Sequence, residues 1–486
     1  MRLTFRSLII AITFICLLAM ATRVAVDSDT WWHLRAGAWM VEHGRPLTQE
    51  VFTHTAAGRP YDYPAWLSQT VMYLVFAAWG FPGLNLLTAA MVTLAFALVF
   101  ATCTGGVYLR AFAVILGAAA SAVFWSARPQ IFSLVLAAAM LYVLELFRRR
   151  GVNRLWLLPV IIAVWANTHP GFAIGFILLA VTTAGEGLKA LLGMGSWRTV
   201  AWLVGIGLAC LVALLLSPYG ADLLLYPFRV ISINVLRDHI QEWQSPNFHL
   251  REAQVFIALW LATAGAVGLS RRSLDLTDLL LCGSLLYLAL LAGRNMALFA
   301  LVAPPVLTRH GQAALDDLRG RYPRLVAVLD GEVLTESRLG PVVSGLLLVM
   351  VTLAALIKMA IPLSPALNAT LVQRGLPVAA ANYLATAQPA GPMFNPYNWG
   401  GYLSWRLYPE YPVYIDGRTD VYDAAFFTEY LRLAAGLPGW TRILDGHGVR
   451  LMLVEAGSPL SGMAQQESGW HRIYADEVAE VYERRP

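Results

Sequence analysis

Val26-Asp27-Ser28-Asp29-Thr30-Trp31-Trp32-His33-Leu34 lies just beyond the first apolar run of the chain. Two carboxylates, two indoles and an imidazole crowd the point where a chain leaving a bilayer meets the headgroup layer. Tryptophan favours that depth because its ring is apolar while its N–H can face water. Trp31 and Trp32 would pin the stretch to the membrane surface, and Asp27 and Asp29 would stand within reach of a lipid headgroup.

The rest of the composition agrees with a membrane setting. Hydrophobic residues make up 58% of the 486 positions and charged residues 13%, too apolar for one soluble core and right for a polytopic membrane protein. The formal charge of +5 comes from Lys and Arg in short loops between apolar spans. It is therefore a topology signal and not a nucleic-acid surface. Cys16, Cys103, Cys210 and Cys282 all fall in apolar stretches, which argues against a disulfide framework or a Cys-rich metal site.

The chain opens with Arg2 and Arg6, then runs apolar from Ser7 to about Val26. A cleaved signal peptide is the rival reading, since Ala19–Ala21 imitates a cleavage site; the length of the run and the many spans after it favour an anchor. Thr30 to His43 is predicted as an amphipathic helix lying on the membrane, with Asp29 able to cap it and Gly44 ending it. Trp66 to Trp79, about fourteen residues, is short for a crossing. Apolar segments follow near 83–103, 110–126, 130–147, 155–168, 171–191, 199–216, 254–270, 277–292, 295–308 and 341–361.

Loop charges assign the sides. Arg148-Arg149-Arg150, Lys189 with Arg198, Arg271-Arg272 and the basic loop Arg309–Arg338 belong inside. That alternation holds when Trp66–Trp79 is juxtamembrane or re-entrant, which leaves about eleven spans and an outside C-terminus. The outer face then collects 27–64, Ser126–Gln130, Asn167–Pro170, 217–254 and Gly293-Arg294-Asn295. Ionisable groups at span ends are costly unless solvated or paired, so their convergence on one face is a functional signal.

Beyond Pro362 the composition becomes that of a soluble domain of about 120 residues. Val413-Tyr414-Ile415, Val449–Val454 and Glu480–Tyr482 are expected as strands, Phe426–Leu433 as a helix, and Asn382–Ala387 as the end of another. The expected fold class is thus an all-α polytopic membrane domain, 1–361 including the outer loop 27–65, with a small C-terminal extracytoplasmic α/β domain, 362–486. That domain carries no HExxH, phosphate-binding glycine loop or nucleophile elbow. The chain shows no internal repeat of the kind that marks a secondary transporter.

A first span followed directly by an acidic pair, a long amphipathic outer loop, many further spans and an outer C-terminal domain resembles the GT-C superfamily of integral-membrane glycosyltransferases. More narrowly, DSDTWWHLRAG (27–37), RPQ (128–130), WANTH (165–169), SPYG (217–220), Glu242-Trp243, Arg294-Asn295, GGYL (400–403) and DGRTD (416–420) resemble a group of bacterial membrane proteins at the edge of that superfamily. The resemblance covers nearly the whole chain. It implies a polyprenyl-phosphate sugar as donor and an extracytoplasmic lipid, glycan or protein as acceptor.

Sugar transfer needs a base for the acceptor hydroxyl, and a first-loop carboxylate, Asp27 or Asp29, suits that role. The leaving phosphate needs cations and donors more than a general acid; Arg128, His169 and Arg294 are on the expected face. Each has a plainer reading. Asp29 could be only a helix cap, which favours Asp27 as base; His33, at i+4 from Asp29, could simply pair with it. Arg128 could be a snorkelling anchor, and His169 could satisfy a broken helix end. Glu242 beside Trp243 suits sugar binding or an interface. Arg294 with Asn295 is the strongest phosphate candidate, although a salt bridge to Asp27 or Asp29 would explain it too. Asp27 and Asp29 could also hold Mg or Mn, a minimal site. Asp416, Arg418 and Asp420 are expected to pair among themselves and to dock the C-terminal domain over the membrane site.

The sequence therefore points to a multi-pass glycosyltransferase of the cytoplasmic membrane with its site facing outward, in contact with membrane lipids. The alternative is a non-catalytic membrane scaffold or polysaccharide-export partner. A transporter would want charges deep within its spans rather than at their outer ends.

Overall fold

The computed structural model describes residues 4–25, 27–231, 240–320, 322–323 and 340–485. The membrane part is a helix bundle: α1 Phe5–Ala21, α2 Asp29–His43, α3 Trp66–Thr102, α4 Val107–Ala120, α5 Gln130–Arg150, α6 Leu157–Thr168, α7 Phe172–Leu191, α8 Trp197–Ala213, α9 Arg251–Leu269, α10 Leu276–Leu291, α11 Met296–Arg319 and α12 Gly340–Ala360. Six of the described helical stretches are long and apolar enough to cross a membrane, and four shorter apolar helices join them. With α11, these account for the roughly eleven spans expected.

Trp66–Trp79 and the span after it are parted at Gly80, whose φ of 60° and ψ of −153° break α3 just ahead of Pro82. The first half packs along α2. Trp31 meets Phe76 and Phe81 edge-on, and the α2 backbone at Gly37 lies against Gln69. α2 itself ends at Gly44, where φ is 64°, as its sequence predicts.

Chain reversal at each span sorts the polar residues to two ends. One end gathers Asp27, Asp29, Arg128 and Glu242. The other gathers Arg148, Glu186, Asp275, Asp278 and Arg309. The basic run 148–150 is thus more than a side marker: Arg148 reaches Asp275, which caps α10, at 2.7 Å, and Arg149 reaches Asp278 within α10 at 2.6 Å.

The C-terminal region comprises α13 Pro365–Gly375, α14 Val378–Ala387, β1 Met393–Phe394, α15 Tyr397–Leu407, α16 Ala424–Ala434, α17 Trp440–Gly446, β2 Leu451–Glu455, α18 Pro459–Gln466, β3 Trp470–Ala475 and β4 Ala479–Arg484. Its sheet runs β1-β2-β4-β3, with β1 parallel to β2 and the other pairs antiparallel. Val413-Tyr414-Ile415, expected as a strand, forms only a parallel bridge from Val413 to Thr53. Its three side chains are fully buried, so packing rather than a ladder satisfies the β-rich triplet.

That bridge belongs to a larger union. Trp39, Leu47, Phe52 and Tyr61 of the first loop share one apolar cluster with Tyr414, Tyr422, Trp440 and Tyr482. At its heart, Arg418 is fully buried between Asp416 and Glu50. Its Nε lies 3.0 Å from both Asp416 oxygens and its Nη2 donates to Glu50 Oε1 at 2.9 Å. Glu50 also accepts the Phe52 and Thr53 backbone N–H groups at 2.6 and 2.8 Å. A buried ion pair offsets its desolvation only when geometry is good and the remaining lone pairs are used; both conditions hold here. The pairing of Arg418 with Asp416 was expected, whereas Glu50 was missed and Asp420 stands apart.

Candidate functional site

The N-terminus of α2 sets the site. Asp27 Oδ1 accepts the backbone N–H of Asp29 at 3.0 Å, and the Asp27 carbonyl accepts that of Thr30 at 3.2 Å. Asp27 therefore takes up the first backbone N–H of α2, ahead of a Ser28 N-cap that makes no side-chain bond, and Asp29, the first helical residue, keeps its carboxylate free of capping. Thr30 Oγ1 donates to the Ala127 carbonyl at 2.9 Å, which fixes α2 against the turn carrying Arg128.

Arg128 is the hub. Its Nη1 lies 3.4 Å from Asp27 Oδ2 and 3.2 Å from Asp29 Oδ2, and its Nη2 lies 3.2 Å from Glu242 Oε1. Gln130 Oε1 accepts from the same Nη2 at 2.6 Å. Asp29 is also walled by the C-terminal region: a Cβ at Gly417 would come within 2.1 Å of its Oδ1, so only glycine fits. Burial raises the Asp29 pKa; Arg128 pulls it back, Asp27 and Glu242 push it further, and it settles at about 7. A carboxyl held there is poised between proton acceptance and donation near neutral pH.

Arg294, in the turn Gly293–Asn295 between α10 and α11, lies over the Trp243 ring at 4.0 Å. Among the described residues no carboxylate comes within ion-pair distance of it, so the expected bridge to Asp27 or Asp29 is not formed. Glu242 and Trp243 thus each hold one arginine of the site. Asn295 Nδ2 donates to the Leu288 carbonyl at 3.0 Å, closing the end of α10. Tyr63 lies among these groups: burial raises its hydroxyl pKa, Asp420 and Asp29 raise it further, and Arg128 and Arg294 oppose them. Asp420 accepts from Tyr226 Oη at 3.0 Å, and burial pushes its pKa up.

His33 is buried at 2% exposure. Its Nδ1 contacts Gln69 Nε2 at 3.1 Å, so the expected pairing with Asp29 gives way to a bond across the α2–α3 crossing. Burial, then Arg128, lowers its pKa well below the usual imidazole value. His169 terminates α6. Its Nδ1 is 2.7 Å from Ser133 Oγ and accepts the Gly171 backbone N–H at 3.0 Å.

No protein-family model matches the chain, and no curated protein matches it. Solved structures do. A crystal structure of the Archaeoglobus fulgidus oligosaccharyltransferase in the apo form superposes with a TM-score of 0.62 at 12% identity, over 98% of this chain and 74% of that one. The archaeal oligosaccharyltransferase AglB from Archaeoglobus fulgidus, in complex with an inhibitory peptide and a dolichol-phosphate, gives 0.57 at 11% identity, over 98% and 74%. The arabinofuranosyltransferase AftD from Mycobacteria gives 0.52 at 17% identity, over all of this chain and 40% of that one. The chain has the GT-C fold. At these identities the likeness concerns the fold, and the chemistry has to be argued from the residues.

Within this GT-C fold, Asp27, Asp29, Arg128 and Glu242 are brought into direct contact, with Arg294 and His169 close by. The residues missed by sequence reasoning are those that hold them: Gln69, Ser133, Tyr63 and Gly417. Asp27 and Asp29, the pair the sequence offers to Mg or Mn, each turn one carboxylate oxygen to Arg128. Among the described residues no group of three His, Cys, Asp or Glu side chains is placed to hold a metal ion.

Proposed function

We propose that this protein is a membrane glycosyltransferase that moves a sugar from a polyprenyl-phosphate donor to an acceptor outside the cytoplasm. The observation that carries the reading is Asp29: a carboxylate relieved of capping, raised to about 7, in the same cluster as an arginine with no carboxylate partner among the described residues. Asp29 takes the proton of the acceptor hydroxyl while its oxygen attacks the anomeric carbon. The bond from that carbon to the phosphate oxygen breaks, and the electron pair leaves with the polyprenyl phosphate. Arg294 faces the charge that builds there, where a guanidinium is worth most because the site is shielded from water.

The dolichol-phosphate held by one oligosaccharyltransferase of this fold supports a lipid-phosphate donor. Basic inner loops support an outward-facing site in the cytoplasmic membrane. The acceptor class stays broad: a lipid, a glycan or a protein.

The test follows release of prenyl phosphate from a short-chain prenyl-phosphate sugar in membranes containing the full chain. Asp29→Asn should lower turnover by about 10²-fold or more without loss of thermal stability. Normal turnover in both Asp29→Asn and Asp27→Asn would remove the first-loop carboxylates from the chemistry, and no release even by wild type would favour the scaffold reading.

A further inference from the structure

His169 carries more instruction than a helix end requires. A backbone N–H can only donate, so the Gly171 amide, 3.0 Å from Nδ1, makes that nitrogen an acceptor. Ser133 Oγ, 2.7 Å from the same Nδ1, receives the indole N–H of Trp165 at 2.6 Å. Since the Gly171 amide already makes Nδ1 an acceptor, the hydroxyl sends its own proton to Nδ1. Two donors on one ring nitrogen leave the imidazole proton on Nε2.

The arrangement is built and tight. Ser133 and Trp165 are 1% and 0% exposed. A Cβ at Gly171 would fall 2.5 Å from Ser133 Oγ and 2.7 Å from His169 Nδ1, so no side chain fits beside the ring. Nε2 has no hydrogen-bond partner among the described residues, and the ring sits near Arg294 and Arg128. Burial and those two arginines lower its pKa, which keeps the ring neutral.

We infer that Ser133 and Gly171 are positioning residues that hold His169 as its Nε2–H tautomer, so that with Arg294 it donates a hydrogen bond to an anionic oxygen of the lipid phosphate. This rests on the glycosyltransferase reading for the identity of the ligand, but not for the tautomer. A neutral donor complements Arg294: it adds direction to the contact without a second buried charge.

The test uses the full chain in detergent, with farnesyl phosphate as the probe. Glutamine can place an amide N–H near the position of Nε2–H, whereas asparagine reaches only that of Nδ1. His169→Gln should therefore bind within about 3-fold of wild type, and His169→Asn about 10-fold more weakly, the worth of one hydrogen bond to a charged oxygen. Nitrogen-15 spectra of the ring should show Nε2 protonated in wild type, with a minor Nδ1–H fraction appearing in Ser133→Ala, where the Gly171 amide alone still donates to Nδ1. Equal affinities for His169→Gln and His169→Asn would overturn the donor role. A wild-type ring protonated on Nδ1 would overturn the tautomer. Should Ser133→Ala not fold, the two His169 variants and the wild-type spectrum still decide. If wild type binds no farnesyl phosphate while its ring is protonated on Nε2, the ligand assignment and the functional reading behind it fail, and the tautomer stands.

Discussion

The two ends of the bundle use the same side chains to opposite purposes. At one end, Glu145, Arg148 and Arg149 of α5, Glu186 and Lys189 of α7, Asp275 capping α10, Asp278 within it and Arg309 of α11 form one closed network. Four acids meet four bases. At the other end Arg128 collects three carboxylates, one of them held near neutrality, while Arg294 rests on an indole. Closed networks lock helices together; open ones leave charge for something that arrives. Buried charge alone does not mark a site, and the unfinished pairing is what does.

Breaking the closed end should have the largest effect. Asp278 touches Arg148 and Arg149, and Arg309 as well. Asp278→Asn leaves those guanidinium groups under-compensated, and thermal unfolding should report a loss of about 3–5 kcal/mol. Transfer per folded molecule should stay near normal.

The open end should answer to pH. With Asp29 near 7, turnover should rise about 10²-fold between pH 5 and the plateau above pH 7, following one ionisation, and Asp29→Asn should flatten that rise. The stability sign runs the other way. The unfolded carboxyl titrates near 3.8, so between about pH 4 and 7 the folded chain holds a proton that the unfolded chain has lost. This contribution to stability is full below that window and is lost as pH rises through it. Asp29→Asn should lack the decline.

Arg294 gives a smaller effect confined to the ligand. Arg294→Ala should weaken farnesyl phosphate binding by about 10-fold, and Arg294→Lys should recover only part of it because lysine lacks the planar fork. Isothermal titration checks both; unchanged affinity in Arg294→Ala would remove it from the phosphate site. The smallest effect belongs to a pair at neither end: Arg35 and Glu42, 2.8 Å apart with Glu42 48% exposed. Glu42→Gln should cost at most about 1 kcal/mol, a baseline for an ordinary surface bridge.

What the sequence made legible follows from how local each signal is. The limits of α2 differ by one residue from the predicted span, because a capped start and a left-handed glycine stop are both local. The charges of the candidate site could be grouped because each sits at a span end and the loop charges predict which ends share a face. The closed network is invisible in the sequence for the converse reason: Glu145, Glu186 and Asp278 are single acids in apolar helices, and only packing shows that they meet. Ser133 and Gln69 read as ordinary polar residues of helices. Gly417 looked like a turn residue within DGRTD, and its contact with Asp29 depends on how two distant segments dock.

That contact also orders events in the life of the chain. Arg418 reaches a Glu50 that lies 368 positions earlier, and Gly417 closes on Asp29 beside it. A ribosome delivers every membrane helix before it delivers the wall of Asp29. During synthesis the bundle therefore lacks the wall of Asp29 until Gly417 has emerged and docked. The pocket around that carboxylate is thus the last part of the molecule to be finished.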